Sequence, residues 1–204
     1  MNLIYKPENN GKNIEEYDCH YLTGYTEGEL VSFTGADYVR NSNRVVTISG
    51  IYPAVIVAVK CVDFQIRRQI NFEEKSIRNE LFRVNRKRTG LGSGIVNAQV
   101  DAATNAGFKL IKVLAIGRYD TIDKWNGYLT FAKLGFSMEE FEIDSFRKLL
   151  AKHGRIEQTI NQLVSTEDGS KFWKENGYPW YGYFDLAENS VNRKILQTYI
   201  DKQL

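Results

Sequence analysis

Residues 86–96 read Arg86-Lys87-Arg88-Thr89-Gly90-Leu91-Gly92-Ser93-Gly94-Ile95-Val96, a basic run leading into three glycines at alternate positions. Glycine has no Cβ to hold an anion away from the backbone, so successive N–H groups at a helix start can converge on the same oxygens. The basic side chains add positive charge at the same place. Gly90, Gly92 and Gly94 would equally suit a tight strand-to-helix connection, with Arg83, Arg86, Lys87 and Arg88 as a solvated basic face. The sequence on either side favours phosphate or pyrophosphate binding over that plainer reading.

Upstream, Ile77 to Val84 has the composition of a strand, and alternation along it puts Phe82 and Val84 on one face with Glu80. Downstream, Val96, Val100 and Ala103 recur at helical spacing, and Gly107 is placed to close a helix of about four turns with a left-handed residue. Phe108 to Ile116 reads as a largely buried strand. The order is therefore strand, anion-binding turn, helix, strand. Earlier, Arg44–Gly50 and Ala54–Lys60 are β-branched runs joined by a turn at Ile51-Tyr52-Pro53, which predicts an antiparallel pair. Trp125 to Leu134 predicts a second helix, ended by Gly135.

Residues 1–30 show no sustained period and read as a loose lead-in or short edge elements. Beyond Ser137, Phe146, Leu149 and Leu150 predict a helix ending near Gly154. Ile156, Ile160, Leu163 and Val164 fit the core-facing side of another, and Val191, Ile195, Leu196, Tyr199 and Ile200 fit a terminal helix. The aromatics Phe172, Trp173, Tyr178, Trp180, Tyr181, Tyr183 and Phe184 between them need burial, on the domain itself or against a protein partner.

A chain of 204 residues, 43% hydrophobic and 25% charged, has the make-up of an ordinary globular protein with one substantial core. No apolar run approaches the roughly 20 residues that span a bilayer. Met1 to Pro7 leads into polar sequence where a secretory leader needs an apolar one, so a cytoplasmic protein without membrane contact is expected. A net charge of +2, with four basic residues and no recognition motif, makes nucleic acid an unfavoured partner. Cys19, Cys61, His20 and His153 lack the spacing of a metal site, and none is expected.

The segment from Ile77 to Phe136 resembles the GNAT superfamily of acyl-CoA-dependent N-acyltransferases. In that superfamily a strand runs into a Gln/Arg-x-x-Gly-x-Gly/Ala turn that binds the coenzyme A pyrophosphate, and Lys87-Arg88-Thr89-Gly90-Leu91-Gly92 matches it with Lys in the first position. Asn126-Gly127-Tyr128-Leu129-Thr130-Phe131-Ala132-Lys133-Leu134-Gly135-Phe136 looks like the family's later helix with its Lys-Leu-Gly-Phe ending.

The resemblance implies an α/β fold of the α+β kind. A mixed, mostly antiparallel central sheet would be flanked by helices in residues 1–137, and residues 138–204 would form a helical and aromatic C-terminal extension. It also implies acetyl-CoA or another acyl-CoA as co-substrate, bound by Lys87, Arg88, Thr89, Gly90, Leu91, Gly92, Ser93 and Gly94. A small-molecule or protein amine would be the acceptor.

Many members carry a tyrosine two residues before the Lys of that ending, to protonate the departing thiolate. Here the position is Phe131. Tyr128, roughly on the same helix face, could supply the phenol or could simply anchor the helix. Glu80 is the base to test, since a partly desolvated carboxylate can have its pKa raised toward working pH; the plainer role is an ion pair with Arg78, Arg83 or a nearby lysine. Two functions follow: an N-acyltransferase, or a catalytically silent domain of the same fold that binds partners through its aromatic extension.

Overall fold

The computed structural model describes residues 2–5, 20, 23–39, 43–85 and 89–202. The chain divides into two compact units, Met1–Ile111 and Lys112–Leu204. The architecture is α+β, with mostly antiparallel strand pairing and helices packed on the strands.

The first unit contains β1 (Asn2–Tyr5), α1 (Glu27–Ser32), β2 (Val45–Ile51), β3 (Ala54–Lys60), β4 (Phe64–Asn71), β5 (Ser76–Val84) and α2 (Leu91–Asn105). β1 pairs with β2 in parallel, and β2 through β5 follow as an antiparallel meander. The expected hairpin of 44–50 and 54–60 is β2 and β3. Alternation does the sorting: Val55, Val57 and Val59 of β3 and Phe64, Ile66, Arg68 and Ile70 of β4 are buried, and the residues between them are not. Helix α2 buries Ile95, Val96, Val100 and Ala103 and ends with Gly107 at φ 74, the left-handed residue its sequence requires. The capping box of Thr26 and Glu29 starts α1.

The second unit takes in most of β6 (Leu110–Ala115), then α3 (Gly127–Lys133), β7 (Ser137–Met138), α4 (Glu140–Lys152), α5 (Ile160–Val164), α6 (Glu167–Asn176), β8 (Trp180–Asp185) and α7 (Val191–Asp201). β8 runs antiparallel to β7, with Ser137 opposite Tyr183. Gly135 after α3 and Gly154 after α4 both have positive φ, where the sequence places helix ends.

Two expectations are corrected. The strand at 108–116 is not largely buried, because Ile111, Val113 and Ala115 face inward while Leu114 and Ile116 are exposed. Ile156 belongs to no helix and is 86% exposed, so the apolar face of α5 begins at Ile160. Within the aromatic stretch before α7, residues 180–185 form the strand β8, with Trp180 and Phe184 buried.

Candidate functional site

The glycine turn lies in the first unit, between β5 and α2. Gly90 is the N-cap of α2 with φ 71, a left-handed conformation that favours glycine. Its carbonyl accepts from the Gly94 amide at 2.9 Å and from Ser93 Oγ at 2.8 Å. A Cβ at Gly94 would sit 2.2 Å from Tyr38 Cζ, at the outer end of a ring that is 56% exposed and would have to turn aside.

Gly92 is different. A Cβ at that position would meet Val84 Cγ2 at 3.7 Å and Phe82 Cζ at 3.8 Å, ordinary contact distances, so nothing in the described protein requires glycine there. The amides of Leu91 and Gly92 have no hydrogen-bond partner among the described residues. They open the positive end of a helix of 15 residues. Thr89 is exposed beside them. Lys87 and Arg88, like Arg86, lie outside the described residues.

β5 delivers the chain to this turn with an interruption. Arg67 of β4 pairs with Leu81 and Arg68 with Asn79, so Glu80 has no partner in the register and forms a bulge. One extra residue reverses the alternation. Phe82 and Val84 thus lie with Ile77 and Asn79 on the face of Phe64, Ile66 and Ile70, and Glu80 lies on the other, which corrects the expected Glu80, Phe82 and Val84 grouping. There Glu80 Oε2 accepts from Arg67 Nε at 2.7 Å, with half of the Arg67 side chain exposed. The ion-pair role is realised, with Arg67 as the partner.

The bulge also marks a polar group of residues that sequence reasoning does not single out. Arg68, opposite Asn79, is fully buried. Its Nη1 donates to the Leu81 carbonyl at 2.9 Å and its Cζ lies 5.0 Å from the centroid of the Phe82 ring. Nε and Nη2 have no hydrogen-bond partner among the described residues. Burial alone pulls the guanidinium down to about 9. Behind it, Asn79 and Gln99 of α2 bond to each other and are both buried. The one signal available in sequence was the phase of Arg68, which falls at the inward position between Ile66 and Ile70.

Tyr128 lies in the second unit, fully buried on α3. Its hydroxyl donates to the Lys174 carbonyl, and its own carbonyl accepts from Trp173 Nε1 at 3.0 Å and Trp180 Nε1 at 2.9 Å. Burial, with smaller contributions from Asp120 and Tyr119, raises its phenol above the usual tyrosine range. These contacts make Tyr128 an anchor for α3, β8 and α6. Phe131 packs edge-on against Phe136 and offers no phenol.

Among the described residues no three His, Cys, Asp or Glu side chains come together so as to hold a metal ion. No helix of the described residues is long and apolar enough to cross a membrane. No protein-family model, curated protein or solved structure matches the chain.

Proposed function

We propose that the protein is an acyl-CoA-binding domain of the N-acyltransferase kind, acting in the cytoplasm on an amine. The observation that carries this reading is Gly92. Two amides with no described acceptor open α2, and the glycine between β5 and the helix body is one that protein packing does not demand. A diphosphate would use both, its oxygens taking the amides and its bulk the space a Cβ would fill. The acyl thioester would then extend toward the part of β5 that the bulge removes from regular pairing, and the amine would attack its carbonyl.

The silent-domain reading also has support. Glu80 is engaged by Arg67, the Tyr128 hydroxyl by Lys174, and position 131 holds no phenol. The silent domain makes its contacts through the aromatic extension and needs no coenzyme, so the two readings part at binding. Acetyl-CoA should raise the melting temperature of the full chain by mass action under the acyltransferase reading and leave it unchanged for a silent scaffold. Release of free thiol with a panel of amines then separates binding from turnover, and no change in melting with acetyl-CoA removes the acyltransferase reading.

A further inference from the structure

We propose that Arg68 anchors a binding site for a small molecule bearing a carboxylate, held side-on by Nε and Nη2. Two contacts fix the guanidinium before any ligand arrives. Nη1 is committed to the Leu81 carbonyl at 2.9 Å, and the Phe82 ring lies against the plane at 5.0 Å from its centroid. The nitrogens left over, Nε and Nη2, are both buried and both without a hydrogen-bond partner among the described residues. They are not scattered donors but the two members of one edge of the guanidinium fork, the edge that a carboxylate meets with both oxygens at once.

Charge selects the ligand class. The group is fully buried and, at about 9, still protonated at neutral pH. A buried charge with donors unmet is costly, and a counter-charge that satisfies them removes most of the penalty. No described carboxylate reaches Arg68: Glu80, its near neighbour in the bulge, is turned to Arg67 on the opposite face. A monoanionic carboxylate would leave the guanidinium's surroundings neutral overall, whereas a phosphate dianion would bury a net negative charge. The neighbouring Asn79 and Gln99 side chains make this side of α2 polar within an otherwise apolar core, which suits a ligand with further hydrogen-bonding groups.

Arg68 has no exposed surface, so the ligand enters through local opening. The strands are least tied at the bulge, beside the Leu81 carbonyl that orients the guanidinium. This site is separate from the coenzyme proposal, and acetyl-CoA is absent from its test.

The test is thermal unfolding of the full chain in sodium acetate against sodium chloride at equal ionic strength. Acetate at about ten times its dissociation constant should raise Tm by about 3–6 °C. Arg68→Met keeps the apolar stem and should abolish that rise; Arg68→Lys keeps the charge, loses the fork and should abolish most of it. Equal melting of the wild type in the two salts overturns the proposal, as does an undiminished acetate effect in Arg68→Met. Phosphate outperforming acetate overturns the carboxylate assignment. Should the variants not fold, the wild type decides: acetate moves the Arg68 Nε–H resonance if the site exists and leaves it in place if it does not.

Discussion

Asn79 and Gln99 hold each other face to face across the contact of β5 with α2: Gln99 Nε2 donates to Asn79 Oδ1 at 2.9 Å, and Asn79 Nδ2 returns a bond to Gln99 Oε1 at 3.2 Å. Both are buried, so neither has water to fall back on. Asn79→Leu should therefore cost about 2–3 kcal/mol, because the Gln99 amide is left unsatisfied. Adding Gln99→Leu should recover much of that loss. Chemical denaturation of the two single variants and the double variant measures the coupling, and additive losses would contradict the pairing.

The three glycines of the turn should respond differently to alanine. Gly94→Ala pushes a Cβ against the outer end of the Tyr38 ring, which is exposed and can turn aside, and should cost about 1 kcal/mol. Gly90→Ala strains a left-handed N-cap by about 1 kcal/mol. Gly92→Ala meets only ordinary contacts and, inside a helix, should leave stability unchanged or raise it by up to about 1 kcal/mol. The same variant should weaken acetyl-CoA about tenfold by occupying the diphosphate's space. Calorimetry of binding beside a melting curve separates the two effects.

Tyr128→Phe removes the hydroxyl that bonds Lys174 but leaves the main-chain oxygen that receives two indole N–H groups. A loss of about 1 kcal/mol in unfolding free energy is expected. If Tyr128 only anchors the fold, any thiol-releasing activity should fall no further than this small destabilisation explains. A fall of several hundredfold in a folded variant would restore the phenol to a chemical role.

Alkaline pH should weaken the second unit. Burial, and secondarily Glu142, push the Tyr178 phenol up to about 12 from an ordinary value of 10.0, and burial also raises Tyr128. The folded state thus holds these protons more tightly than the unfolded one. Their contribution is present in full below about pH 10 and is lost as pH rises toward about 12. The Tyr178 hydroxyl is buried without a hydrogen-bond partner among the described residues, so Tyr178→Phe should keep or slightly raise stability and flatten this alkaline loss. Melting curves from pH 8 to 11 for the wild type and variant check both parts.

Period and punctuation were readable in the sequence wherever burial is one-sided. Val96, Val100 and Ala103 place α2, Gly107 and Gly135 place helix ends, and the two β-branched runs place the β2–β3 hairpin. β4 is opaque for a physical reason: its inward row runs Phe64, Ile66, Arg68, Ile70, and a charged side chain at the third position breaks the alternation that identifies a strand. The bulge is equally hidden. Nothing in Asn79-Glu80-Leu81 announces an extra residue, since a bulge is set by pairing with the neighbouring strand, and with it goes the orientation of Glu80. The glycine turn was visible as a motif, but the separate reasons for Gly90, Gly92 and Gly94 emerge only when Tyr38, Phe82 and Val84 are in place.

The convergence of Trp173 and Trp180 on one carbonyl has a spectroscopic consequence. All three tryptophans of the chain, these two and Trp125, belong to the second unit. Indole fluorescence therefore reports on residues 112–204 alone, and the red shift as the two buried rings meet water marks the loss of the Tyr128 junction. Circular dichroism sees both units. A denaturant titration followed by the two signals in parallel would show directly whether the halves of this chain come apart together or in turn.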